Sequence, residues 1–181
     1  MLTTTFLSKD QILEYGTWLK AQDPQTLHNY FGCAIGPESI DTLVQKFSKD
    51  PKRNHFLIAK IDGQWAGTIH IATHSKEVEF GVIVAAQYRK QGIANVMMDE
   101  AITWARNRFY TDLFMHCISW NLPIKHLCKK HGLTPRNMMG DSEANLQLQP
   151  PSPASFLKEQ AIAQRNWMAL FQVPRLSLKH N

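Results

Sequence analysis

The stretch Glu79-Phe-Gly-Val-Ile-Val-Ala-Ala-Gln-Tyr-Arg-Lys-Gln-Gly-Ile-Ala94 decides how this chain is read: an apolar strand runs into a basic, glycine-containing turn and then straight into an amphipathic helix. The first N–H groups of a helix have no acceptor within the helix and carry its positive dipole end. A turn with Gly92 and Ala94 lets backbone come close to the oxygens of a phosphate. The stretch therefore predicts an anion seat made by the N–H groups of residues 89 to 94.

Outward from this stretch the hydrophobic period changes with position. Upstream, His55 to Ala59, Trp65 to Ala72 and Val78 to Ala85 predict three antiparallel strands, with a turn at Asp62-Gly63. Downstream, Ile93, Val96, Met97, Ala101, Trp104 and Ala105 share one face of a helix over residues 92 to 108. Leu113 to Ile118 predicts a further strand, residues 121 to 131 a helix ended by Gly132, and residues 134–139 and 144–148 two short strands. Residues 9 to 48 read as three helices, the second opened by Asp23-Pro24 and the third by Pro37-Glu38-Ser39.

Two motifs carry a family resemblance. Arg89, Gly92 and Ala94 match Arg/Gln-x-x-Gly-x-Gly/Ala, and Asn121, Leu127, Lys130, Gly132 and Leu133 resemble Asn-x-x-Ala-x-x-Leu-Tyr-x-Lys-x-Gly-Phe at the same spacing, with Ile124 for Ala and Leu133 for Phe as conservative apolar changes. The chain thereby resembles the GNAT (GCN5-related N-acetyltransferase) superfamily over about residues 54 to 148. The resemblance implies an α/β fold, a mixed and mostly antiparallel sheet flanked by helices. It also implies acetyl-CoA as cosubstrate, with Ile83 and Val84 along the pantetheine arm. Arg89, Lys90, Gln91, Gly92, Ile93 and Ala94 then lie at the pyrophosphate, with Asn121 and Cys128 as further cofactor contacts.

Acetyl transfer to an amine needs a held donor, a neutral amine and stabilised charge on the thioester oxygen. An alkyl amine with a pKa near 10.4 is mostly charged at neutral pH, so a base that drains its proton is useful. Glu79 is the first candidate, on the same strand face as Gly81 and Ile83. Its ordinary alternative is a solvent-facing strand residue. His116 and His70, on the flanking strands, are alternates that read first as structural histidines. Position 128 departs from the family pattern, because Cys128 stands where many members carry a tyrosine. A thiol is a poorer donor than a phenol, so Cys128 is assigned to cofactor contact and not to acid catalysis.

At 181 residues and 44% hydrophobic, the chain suits one core and is short for two. The domain is expected over residues 1–149, with a Pro-rich break at Pro150-Pro151-Ser152-Pro153 and a helical extension over residues 150–181. Phe156, Leu157, Ile162, Trp167, Leu170 and Phe171 on that helix are expected to pack on the domain or on a second copy in a homodimer. Cys33, Cys117 and Cys128 form no Cys-x-x-Cys pair, which argues against a disulfide framework and a metal site. No run of about 18 apolar residues occurs, and Met1 to Thr5 lacks the pattern of a signal peptide, so a soluble cytoplasmic protein without membrane partners is expected.

A net charge of +5 is spread along the chain and gathers only at Lys125, Lys129, Lys130 and His131, which fits cofactor phosphates better than nucleic acid. The leading reading is an acetyl-CoA-dependent N-acetyltransferase acting on a primary amine of a small molecule or of a peptide or protein. Its alternative is a non-catalytic acyl-CoA-binding or interaction module of the same fold, and a nucleic-acid-binding protein is the third.

Overall fold

Alternate residues of the central strands are apolar on both faces, and this sends one set of side chains to each of two cores. In the computed structural model, which describes residues 1–118, 120–138 and 141–170, Leu57, Ile69, Ile71, Phe80 and Val82 enter one core while Phe56, Ile58 and Ile83 enter the other. A sheet covered on both sides follows from that pattern.

The elements run β1 (Leu2–Phe6), α1 (Ile12–Lys20), α2 (Pro24–Phe31), α3 (Pro37–Lys49), β2 (Asn54–Ile61), β3 (Gln64–His74), β4 (Glu77–Val84), α4 (Ile93–Asn107), β5 (Asp112–Ile118), α5 (Leu122–Lys130), β6 (Thr134–Met138), β7 (Asp141–Gln147) and α6 (Pro153–Leu170). They build a seven-stranded sheet of order β1-β2-β3-β4-β5-β7-β6. All neighbouring pairs are antiparallel except β4 with β5. Met97, Met98, Ala101 and Trp104 of α4, with Leu127 and Cys128 of α5, fill the core on one face, and Tyr15, Leu19, Leu27, Ile40 and Val44 of α1 to α3 fill the other.

The one parallel pair positions the site. Its register runs only from Glu77 opposite Asp112 to Glu79 opposite Phe114, although β4 continues to Val84 and β5 to Ile118. Beyond Glu79 the two strands part, so the backbone of residues 80–84 on that side has no strand partner. A wedge opens between them.

One strand adds to the expected elements. The strand β1 was not foreseen; Leu2-Thr-Thr-Thr-Phe6 pairs with β2 from Leu2 opposite Ile61 to Phe6 opposite Leu57 and forms one sheet edge. On α6, Phe156, Leu157 and Trp167 keep much of their surface exposed. The helix lies on α4 and β1, where several polar contacts hold it. Asn166 accepts from the Thr4 N–H at 3.1 Å and donates to the Thr4 hydroxyl at 2.9 Å, Asn107 donates to the Ser155 carbonyl at 3.1 Å, and Arg108 pairs with Glu159 at 2.9 Å. Phe171 lies outside the described residues, and among those residues no helix is long and apolar enough to cross a membrane.

Candidate active site

Strand β4 ends at Val84, and a single 3-10 turn, Ala86–Tyr88, leads to Arg89. Lys90 (φ 61°) and Gly92 (φ 78°) both take left-handed backbone, which reverses the chain into α4. Gly92 is the N-cap, with no side chain to bond the helix N–H groups, and no acidic residue sits in the first turn. The first backbone bond runs from Val96 N–H to the Gly92 carbonyl at 3.2 Å. The N–H groups of residues 93 to 95 are thus left without a helical acceptor. A Cβ built on Gly92 would meet nothing within 4 Å, so this side of the turn is open.

The open side faces a cleft of about 380 Å³. Its walls come from α2 (Thr26, Asn29, Tyr30), from Val82, Ile83 and Val84 of the unpaired part of β4, from the turn and start of α4, and from α5. Of the residues expected at the cosubstrate, Ile83, Val84, Arg89, Lys90, Gly92, Ile93, Ala94 and Asn121 line it. Gln91 does not; it is exposed, and its amide donates to the Gln87 carbonyl at 3.4 Å. Cys128 does not line it either. Its side chain is buried in the α4–α5 core, with Sγ 3.8 Å from Sδ of Met115, and this corrects its assignment as a cofactor contact. The cleft-side row of α5 is Ile124, Leu127 and Lys130, which drifts backward round the helix at intervals of three and leaves Cys128 turned to the core.

Sequence reasoning missed the α2 wall, where the chain is tied to the turn. Arg89 donates from Nη2 to the Thr26 hydroxyl and from Nε to the Val84 carbonyl at 3.3 Å. Asp23 caps α2 by accepting from the Thr26 N–H at 2.9 Å; its bonds with Thr26, and secondarily the charge of Arg89, hold its carboxyl below the usual range. Asn121 caps α5 and donates to the Asn29 carbonyl at 3.0 Å, while the rings of His28 and Trp120 stack at 5.5 Å. Asp-Pro at the start of α2 was the only available signal, and it announces a helix, not a wall.

On the far side of the wedge lies a second hollow of about 260 Å³, lined by Glu77, Glu79, Phe114, His116 and Glu143 among others. Glu79 is half exposed, and its Oε1 is 3.6 Å from Nε2 of His116. His70 lies on β3 opposite Gly81 of β4; half-buried between the rings of Phe47 and Phe56, it meets Asn54 Oδ1 at 2.8 Å, and burial lowers its pKa to about 4. It is a structural histidine, neutral at pH 7. The two hollows differ in charge, with Arg89, Lys90 and Lys130 around the first and three glutamates around the second. Among the described residues no group of three His, Cys, Asp or Glu side chains could hold a metal ion.

Comparison with known proteins agrees with this geometry. The model of the Acetyltransferase (GNAT) family matches residues 18–133, and the chain belongs to that family. No curated protein sequence matches it. Among solved structures, the GNAT domain of S. lividans PAT superposes with a TM-score of 0.71 at 15% identity, covering 80% of this chain and 89% of that one. The spermidine N-acetyltransferase from Vibrio cholerae, in complex with CoA and spermine, gives 0.65 at 14% identity over 81% and 95%. The acetyltransferase yncA from Salmonella typhimurium, with its cofactor acetyl-CoA, gives 0.66 at 16% identity over 84% and 96%. At such identities the likeness is one of fold.

Proposed function

We propose that this protein transfers the acetyl group of acetyl-CoA to a primary amine by direct attack within the wedge between β4 and β5. The observation that carries the reading is the coincidence, in one cleft, of an uncapped helix start with the unpaired backbone of β4. The N–H groups at the start of α4, with Arg89, Lys90 and Lys130, suit the cosubstrate's phosphates. The backbone of Val82 to Val84 on the side away from β3, apart from the Val84 carbonyl held by Arg89, suits its pantetheine amides and leads the thioester toward Glu79. Donors fixed in this way stabilise charge on the thioester oxygen without reorganising.

The acceptor enters from the glutamate side in this reading. A protonated amine is drawn to Glu77, Glu79 and Glu143, and Glu79 takes its proton with access to water. The freed nitrogen lone pair attacks the thioester carbon, the C–N bond forms, and the C–S bond breaks with its electron pair left on sulfur. The bound spermine of the Vibrio cholerae structure supports a cationic amine as one acceptor class for this fold.

The experiment is a thiol-release screen with acetyl-CoA against amine classes (polyamines, aminoglycosides, amino acids and peptide N-termini), with calorimetric titration of CoA beside it. Release with one class supports the reading. CoA binding with no release from any class favours a second reading, a non-catalytic acyl-CoA-binding module, which the burial of Cys128 away from the cleft supports.

A further inference from the structure

With Cys128 in the core, α5 offers the departing sulfur no side-chain proton donor at the position where the motif carries tyrosine. A phenol reaches the same region from the opposite wall. Tyr30 of α2 lines the cleft beside Val82, Ile83 and Val84, and its hydroxyl lies over Gly81, where a Cβ built on the glycine would be 2.6 Å from the phenol oxygen. Gly81 is two residues past Glu79, the last residue of β4 that pairs with β5. The hydroxyl therefore sits at the mouth of the wedge, and the missing side chain at position 81 is the room it uses.

We infer that Tyr30 donates the hydrogen bond that receives the leaving thiolate, a role that rests on the acetyl-CoA reading of the cleft. Two further observations carry it. The helix bearing Tyr30 is fixed on both sides of the cleft, by Arg89 to Thr26 and by Asn121 to Asn29, so the phenol is held before any ligand arrives. Beneath it, the Tyr15 hydroxyl is fully buried with the Tyr30 hydroxyl as its neighbour, and the two phenols perturb one another's ionisation in the sense of Tyr15 donating to Tyr30. A buried hydroxyl without a partner is costly, and the Tyr30 oxygen is the acceptor at hand for Tyr15, which leaves the Tyr30 proton for the cleft.

The ionisation of Tyr30 suits a donor. Burial, and to a lesser extent the negative charge of Glu79, raise its pKa to about 12 against a bond with Tyr15 that lowers it. The phenol stays protonated at every working pH. A thiol near 8.5 is the stronger acid, so the proton remains on the phenol oxygen and the bond stabilises the thiolate without full transfer. The ammonium proton goes to Glu79 and on to water before attack, the second N–H proton leaves the tetrahedral adduct by the same route as the C–S electron pair goes to sulfur, and CoA takes one proton from solvent on release. The step balances with no further reactant.

The test needs no knowledge of the acceptor. CoA is bound to the full chain, and its thiol is titrated by thiolate ultraviolet absorbance with desulfo-CoA as blank. The bound thiol should lose its proton about one pH unit lower in the parent than in Tyr30→Phe, as one hydrogen bond to a charged group dictates. Gly81→Ala, whose methyl group displaces the hydroxyl from the other side, should move the titration the same way, and it decides the matter if Tyr30→Phe misfolds. Equal titrations in a parent and variants that all bind CoA overturn the inference. A parent that binds neither CoA nor desulfo-CoA overturns the cosubstrate site itself, and the inference with it.

Discussion

Arg89 and Thr26, 63 positions apart in sequence, are joined by a guanidinium-to-hydroxyl hydrogen bond that ties the phosphate turn to the first turn of α2. The bond couples the turn to the α2 wall of the cleft. Arg89→Ala removes a charge facing the phosphates as well as this tie, and CoA affinity should fall about tenfold or more, as the loss of one charge-assisted bond implies. Thr26→Val keeps the charge but frees the guanidinium, and a smaller loss is expected. Calorimetric titration of CoA against both variants measures the difference, and a larger loss in Thr26→Val than in Arg89→Ala would contradict it.

At Gly92 the backbone itself is at stake. With φ at 78°, any L-residue there strains the chain, although nothing crowds the missing Cβ. Gly92→Ala should cost about 1–2 kcal/mol of stability without ligand. In the parent, CoA at 100 times its dissociation constant should add about 2.7 kcal/mol. Gly92→Val adds bulk on the open side of the turn, and should lose that increment altogether. Thermal melts with and without CoA separate the two effects, and a full CoA shift in folded Gly92→Val would exclude the seat.

Glu79→Gln should lower turnover about 100-fold near neutral pH while leaving CoA affinity unchanged. The deficit should shrink as pH approaches about 10, where an alkyl amine sheds its own proton. Turnover measured from pH 6 to 10 tests this, and a flat ratio of variant to parent across that range would return Glu79 to the status of a strand residue.

His70 gives stability a pH dependence of defined sign. Its folded pKa of about 4 lies below the unfolded value of 6.5, so the unfolded chain binds a proton that the folded chain refuses. Stability is complete above pH 6.5, falls as pH drops toward 4, and loses on the order of 3 kcal/mol from this group. His55, also lowered by burial, adds a term of the same sign. Urea midpoints measured from pH 7 to 4 should fall steeply in the parent and less in His70→Gln; equal slopes would contradict the assignment.

Cys128 should behave as a core residue. Cys128→Ala is expected to cost about 1 kcal/mol of stability, with turnover intact. Cys128→Tyr, which the motif would suggest as a repair, should instead overpack the face of α5 against Met115, at about 1–3 kcal/mol. Faster turnover in Cys128→Tyr would mean that the tyrosine finds the cleft and that position 128 still serves it.

The parts of this molecule that were legible in the sequence are those that depend on neighbours in the chain. The helix starts at Asp23-Pro24 and Pro37, the strand-turn-helix from Glu79 onward and the stop at Gly132 each rest on a local rule, and each fell within a few residues of its observed place. Strand β1 escaped because Leu2-Thr-Thr-Thr-Phe6 is short and half polar, and only its register with β2 makes it a strand. Tyr30, Asn29 and Thr26 escaped because no spacing rule links α2 to β4; the topology brings them together. Cys128 was misplaced because motif alignment gives position along α5 and not the direction in which a shorter side chain turns.

The bond between Asn166 and the Thr4 N–H has a consequence for how the protein is made. That N–H lies on the side of β1 away from β2, the open border of the sheet, and its partner is the 162nd residue after it. A ribosome adding about 5–20 residues per second needs on the order of ten seconds to reach it. Throughout that interval the nascent sheet presents an uncovered border to which another chain could add a strand. The helix α6 thus ends the period in which the newborn polypeptide is open to wrong association, and chains cut short before it should be lost to aggregates even though the candidate cleft is complete.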